Sequence, residues 1–166
     1  MKLYLVGLPG SGKSSFGKEL AREAKVPFID LDQIIEQEMG MPVSQLFTEK
    51  GEDYFRNLEA VTLRQQSKEP EFVMACGGGT PCFHNNMKFI NDSGTSIFLN
   101  VPLTEIITRL NTAEQQNRPL LADTTQESLE QKLKALLEKR IGFYGTAKII
   151  LDNPVSPAEV LQLIKS

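Results

Sequence analysis

The chain has 166 residues, 40% of them hydrophobic and 23% charged, and a net charge of −3. That length carries a core without disulfides or a structural metal, and the acid excess speaks against a nucleic-acid binder held by phosphate contacts. No run approaches the ~20 apolar residues of a membrane span, and the apolar start Leu3 to Leu8 is broken at once by Pro9 and Gly10, unlike a secretory leader.

Lys2 to Val6 is a short apolar run that meets glycines and reads as a buried strand. Lys13 to Ala24 has helical spacing, with Phe16, Leu20 and Ala24 on one side. Val26 to Asp30 reads as a second strand, and Leu31 to Glu38 as a helix stopped at Gly40. Ser44 is expected to cap a short helix that ends at Gly51. Asp53 to Gln66 is a longer helix that turns Phe55, Leu58, Val61 and Thr62 inward. Phe72 to Cys76 is a third strand, running straight into Gly77-Gly78-Gly79. Cys76 and Cys82 lack zinc or redox spacing and read as ordinary reduced thiols. His84 is the only histidine, so a histidine-based metal site or triad is not expected.

Ser96 to Val101 is a fourth strand, halted by Pro102, and Thr104 to Leu110 a short helix. Asn111 to Thr125 is polar and without periodicity; so long a loop in a compact domain is usually functional or disordered, and it is read as a mobile part. A helix resumes near Gln126, with Leu129, Leu133, Leu136 and Leu137 in register. Lys148 to Leu151 is the fifth strand. Ser156-Pro157-Ala158-Glu159 is a capping box with proline at the first helical position, opening a helix to about Lys165. Apolar strands alternating with helices predict an α/β three-layer sandwich whose parallel sheet is covered on both faces. Residues 1–166 are expected to form a single domain.

Gly7 to Ser14 fits G-x-x-x-x-G-K-S between a strand and a helix, the context a P-loop requires. Its glycines let backbone N–H groups wrap phosphates, and the helix N-terminus adds partial positive charge. Lys13 is placed for the β- and γ-phosphates of ATP and Ser14 for Mg²⁺. Asp30 and Asp32 end the second strand, where i and i+2 share a face. One carboxylate can serve the magnesium shell and the other accept a proton, unless Asp32 merely caps the next helix. Arg56 and Glu59, spaced i, i+3, are either a solvated pair or an arginine held still for an anionic substrate. The triple glycine would let a ligand approach the backbone, though alone it is also a plain turn. Arg118, in the polar loop, can close over phosphates, and Arg140 can hold a carboxylate, though each taken alone also reads as an exposed charge.

Together these segments resemble the shikimate kinase family over nearly the whole chain. Leu5 to Ser14 looks like its P-loop, Phe28-Ile29-Asp30-Leu31-Asp32 like its strand-end acidic pair, and Phe55-Arg56-Asn57-Leu58-Glu59 like its F-R-x-x-E segment. Gly77 to Gly79 matches its triple glycine, Arg118-Pro119-Leu120-Leu121 its lid motif, and Arg140 with Tyr144 its R-x-x-x-Y segment. The resemblance implies a P-loop kinase fold with strand order 2-3-1-4-5, a mobile lid at about 111–125, and transfer of the ATP γ-phosphate to the 3-hydroxyl of shikimate, a step toward chorismate and the aromatic amino acids. It implies that Asp32, Arg56, Gly78, Gly79 and Arg140 contact shikimate, with Glu59 behind Arg56. Asp32, Lys13 and Arg118 would be catalytic, and Gly10, Ser11, Gly12, Lys13, Ser14, Ser15, Arg109 and Arg118 would surround the nucleotide. Mg²⁺ would be held by Ser14, with Asp30 in its outer shell. Val43, Phe47, Phe55, Pro119 and Leu120 would form the apolar wall. The stretch Asp152 to Pro157 is shorter than in the family and has no basic residue, so Arg109 is expected to carry more of the adenine contact.

Two rival readings stand beside this one: a gluconate-type or other small-molecule P-loop kinase, and a nucleotide-binding regulator without catalysis. A cytoplasmic monomer is the expected state, because no heptad or long apolar stripe asks for a partner.

Overall fold

The computed structural model describes residues 1–111 and 126–166. Its strands are β1 (Lys2–Val6), β2 (Phe28–Asp30), β3 (Phe72–Ala75), β4 (Thr95–Leu99) and β5 (Ile149–Leu151). They form one five-stranded sheet in the order β2-β3-β1-β4-β5, with every neighbouring pair parallel. The helices are α1 (Lys13–Ala24), α2 (Leu31–Met39), α3 (Val43–Lys50), α4 (Glu52–Gln66), α5 (Asn86–Ser93), α6 (Leu103–Leu110), α7 (Gln126–Tyr144) and α8 (Pro157–Lys165). Among the described residues no helix is long and apolar enough to cross a membrane.

The sheet separates two cores because successive side chains of a strand point to opposite faces. Along β1, Leu3 and Leu5 pack with Leu20 and Ala21 of α1 and Val160 of α8. Tyr4 and Val6 pack on the other face with Ile35, Leu63, Ile90, Ile106 and Leu133, drawn from α2, α4, α5, α6 and α7. Burial on both faces is why β1 reads as an unbroken apolar run. β1 lies between β3 and β4. The chain therefore switches sides of β1 after β3, and ligands in such sheets bind beyond the strands' carboxyl ends at that switch. The P-loop follows β1 and the triple glycine follows β3, so the two glycine-rich turns stand side by side there.

Several expected boundaries are corrected. β2 begins at Phe28 rather than Val26: the Val26 N–H donates to Ala21 O at 3.0 Å, and Pro27 has no N–H to give the ladder. Pro42, not Ser44, holds the cap position of α3, and Ser44 lies inside the helix. α4 exposes Val61 at 62% and instead buries Phe55, Arg56, Glu59, Ala60, Thr62 and Leu63. The 3-10 turn Thr80–Cys82 and helix α5 are additions; α5 is rich in poor helix formers and buries only Asn86, Met87 and Ile90, too little for a visible period. The capping box of α8 is present, with the Ser156 N–H donating to Glu159 at 2.7 Å.

Candidate active site

Gly10 and Gly12 of the P-loop hold φ of 81° and 87°, backbone that L-side chains adopt only with strain. Gly12 is also the N-cap of α1, whose first turn has no side-chain cap and no acidic residue. Its backbone N–H groups are thus left for an anion. The Lys13 ammonium is buried beneath this loop, donating to Gly7 O and Leu8 O at 2.9 Å each. The Ser11 hydroxyl is buried with no hydrogen-bond partner among the described residues.

Ser14 Oγ donates to Asp30 Oδ2 at 2.7 Å. Asp30 is also the N-cap of α2, its Oδ1 accepting from Gln33 N at 3.2 Å. Asp32 lies in the first turn of α2. The two carboxylates are thus brought together by a strand-to-helix corner, not by alternation along a strand, and the capping role belongs to Asp30.

A hydroxyl and a carboxylate side by side next to a phosphate cradle suit Mg²⁺, which keeps several waters and leans on substrate phosphates. Among the described residues no three of histidine, cysteine, aspartate or glutamate gather into a protein cage.

The triple glycine organises the other half of the site. A Cβ on Gly77 would stand 3.0 Å from Asp32 Oδ1, one on Gly78 3.0 Å from Arg140 Nη1, and one on Gly79 2.5 Å from Arg56 Nη2. The absent Cβ atoms thus let these groups close on the backbone, with Thr80 and Glu59 also against Gly77 and Pro9 against Gly78. Arg56 and Glu59 are a buried pair, not a solvated one, with Nη1 to Oε1 at 3.0 Å and side chains 5% and 1% exposed. Thr80 donates to the other Glu59 oxygen at 2.7 Å. Burial pushes the Glu59 carboxyl up, against the pull of Arg56 and Thr80. The Arg56 guanidinium lies 4.3 Å from the ring centre of Phe83 and 5.3 Å from that of Phe55. Arg140 comes from α7, and Tyr144, one turn on, donates its hydroxyl to Gly78 O. Arg140 Nη1 and Arg56 Nε are buried with no hydrogen-bond partner among the described residues. Cys76 and Cys82 are reduced thiols beside this loop. Burial holds the Cys82 thiol up at about 11 despite Arg140 and Arg56.

One cleft of about 880 Å³ runs from the P-loop to the triple glycine, a size suited to small molecules. Ser15, Asp30, Asp32, Arg56, Glu59 and Arg140 line it together with Val43, Phe47 and Phe55. At the P-loop end it is walled by Arg109, Asn100, Val101 and residues 152–155. Arg109 packs closely over Gly12, where a Cβ would meet its Nη1 at 2.7 Å, and it donates to Glu105 at 2.7 Å. Arg118, Pro119, Leu120 and the rest of the expected lid beyond Asn111 lie outside the described residues.

A family model described as shikimate kinase matches residues 9–166. The chain belongs to the shikimate kinase family. A shikimate kinase of Phocaeicola vulgatus is 44% identical over 89% of this chain and 83% of its own length. The shikimate kinase of Bacteroides thetaiotaomicron, solved by crystallography, superposes with a TM-score of 0.89 at 38% identity, covering 99% of this chain and 96% of that one. A shikimate kinase from Acinetobacter baumannii, solved in complex with shikimate, gives a TM-score of 0.90 at 32% identity over 99% and 92% of the two chains. The P-loop kinase fold and the strand order expected from the shikimate kinase resemblance are both present.

Sequence reasoning passed over Thr80, Phe83 and Asn86, all now found around Arg56 and Glu59. Threonine and asparagine in a turn carry no spacing signal. Phe83 was the one available hint, an aromatic residue within a polar stretch.

Proposed function

We propose that this chain transfers the γ-phosphate of ATP to the 3-hydroxyl of shikimate, giving shikimate 3-phosphate and ADP. The observation that carries the proposal is the triple glycine set against Asp32, Arg140 and Arg56, one glycine to each. Two buried guanidiniums with unpartnered N–H groups call for a compact carboxylate, and shikimate has one.

Phosphoryl transfer needs positioning and charge neutralisation more than covalent help. Arg56 and Arg140 grip the carboxylate and so turn the ring until one hydroxyl lies in line with the γ-phosphate. Asp32 accepts the proton of that hydroxyl as its oxygen bonds to phosphorus and the bond to ADP breaks. Lys13, buried under the loop, opposes charge on the moving group, joined by Arg118 on the strength of its Arg-Pro-Leu-Leu motif. Mg²⁺, held by Ser14 with Asp30 behind it, would supply further charge neutralisation on the phosphates. Arg109, over Gly12, faces the base end of the nucleotide. In this reading the chain acts as a cytoplasmic monomer, with shikimate and ATP rather than nucleic acid or membrane as partners. The net charge of −3 supports the exclusion of nucleic acid.

The experiment is a coupled ADP-release assay with and without shikimate across a Mg²⁺ titration. Release should require both. A chain that binds ATP yet releases no ADP with shikimate present is a regulator instead.

Two variants follow from the geometry. Gly79→Ala pushes on a guanidinium that Glu59 pins, so it should weaken shikimate binding about tenfold or more while sparing ATP, at a stability cost of about 1–3 kcal/mol. Calorimetric titration of each ligand and a melting curve check this. Asp30→Asn keeps the helix cap, since asparagine caps as well as aspartate. It should raise the Mg²⁺ needed for half-maximal rate, with activity largely recovered at excess metal.

A further inference from the structure

Behind Arg56 a chain of polar contacts, buried at its centre, runs beside α4 as far as Arg64. Arg56 Nη1 donates to Glu59 Oε1 at 3.0 Å, and Thr80 Oγ1 donates to Glu59 Oε2 at 2.7 Å. Asn86 Nδ2 donates to Thr80 O at 2.9 Å, and Arg64 Nη1 donates to Asn86 Oδ1 at 2.7 Å. Glu59, Thr80 and Asn86 are each fully buried. Arg64 closes the far end, with Nη1 also on Ala60 O and Nη2 on His84 O, both at 3.0 Å. Arg56, Ala60 and Arg64 follow one another at i+4 on α4 and so share a face.

The corner that this chain ties down has unusual backbone. His84 and Asn85 both hold left-handed backbone, with φ of 51° and 55°, a conformation uncommon outside glycine that histidine and asparagine adopt more readily than most. It is held from both sides, by Arg64 on the His84 carbonyl and by Asn86 on the Thr80 carbonyl. A connected polar network favours one geometry, and loss of one link leaves its buried neighbour unpaired.

We infer that Thr80, Asn86 and Arg64 are positioning residues for the carboxylate grip: they hold the Glu59 carboxylate in place, and through it the guanidinium of Arg56 against Gly79. The inference rests on the reading that Arg56 grips the substrate carboxylate. None of the three lines the cleft; they act by denying Arg56 its other rotamers.

The test is steady-state kinetics on the full chain. Thr80→Val keeps the shape and removes the hydroxyl, so the Michaelis constant for shikimate should rise about tenfold while that for ATP stays within about twofold. Thr80→Ser, which restores the hydroxyl, should recover most of the loss. In an Arg56→Ala background, Thr80→Val should add less than about twofold, because both changes then act on the same contact. Should Thr80→Val fold poorly, Arg64→Lys at the half-exposed end should shift the shikimate constant in the same direction. An unchanged shikimate constant in folded Thr80→Val, an equal rise for ATP, or full additivity with Arg56→Ala overturns the inference. If Arg56→Ala itself leaves shikimate binding intact, the carboxylate-grip reading falls first and the inference falls with it. If Arg56→Ala weakens binding and neither Thr80→Val nor Arg64→Lys does, only the inference falls.

Discussion

Replacing Asp32 by asparagine is expected to lower kcat by roughly 10²–10⁴-fold, the span of general-base contributions, with little change in the melting temperature. Asparagine fills the same space and still hydrogen-bonds a hydroxyl, but it takes no proton near neutral pH. The structure sharpens this expectation. The cap of α2 is Asp30, so Asp32→Asn leaves the cap in place and takes from the helix a favourable charge near its N-terminal dipole, about 0.3–1 kcal/mol. A coupled ADP assay beside a thermal melt separates the two effects. A near-normal kcat in Asp32→Asn would remove the base and leave catalysis to in-line positioning and charge neutralisation. The Asp30→Asn protein is the control, because its defect should respond to added Mg²⁺ and that of Asp32→Asn should not.

Arg140→Ala should weaken shikimate binding by about 2–5 kcal/mol, the cost of removing one side of a buried charge pair, and leave ATP binding unchanged. That is roughly 30- to several-thousand-fold in Kd. Arg56→Ala should lose shikimate affinity on the same scale but also destabilise the fold, by about 3–5 kcal/mol, because it strands the buried Glu59 carboxylate. Arg140 holds no buried carboxylate in a direct ion pair among the described residues, its charge acting on Glu59 less than that of Arg56 and on the Tyr144 hydroxyl. Its removal should therefore lower the melting temperature less than that of Arg56. Calorimetry with shikimate and with ATP, alongside melting curves, tests the pair. Unchanged shikimate affinity in Arg140→Ala would take that residue out of the site.

Much of this was legible before any coordinates. A P-loop is a local signal, since glycine, lysine and serine at fixed offsets do their work within a single turn. The strand order and the placing of Arg56, Gly78 and Arg140 near one point came from the family resemblance, because periodicity says nothing of which strands pair. Three things escaped for physical reasons. The direction of Val61 was missed because α4 spends its inward face on the charged residues Arg56 and Glu59, which a hydrophobic pattern counts as solvent-facing. Helix α5 was missed because it buries too few apolar residues to show a period. The roles of Asp30 and Asp32 were blurred because the strand yields to the helix between them.

The acceptor that the site selects is the central claim, and an acceptor panel tests it most directly. ADP release and the phosphorylated product would be measured with shikimate, gluconate and nucleoside monophosphates, each with ATP and Mg²⁺. On the proposed reading, two arginines around a triple glycine suit a compact carboxylate better than a nucleobase, and an apolar wall of Val43, Phe47 and Phe55 suits a ring rather than an open polyol. Shikimate should therefore be the acceptor turned over, yielding shikimate 3-phosphate. Strong turnover of gluconate or of a nucleoside monophosphate, with none of shikimate, would contradict the account.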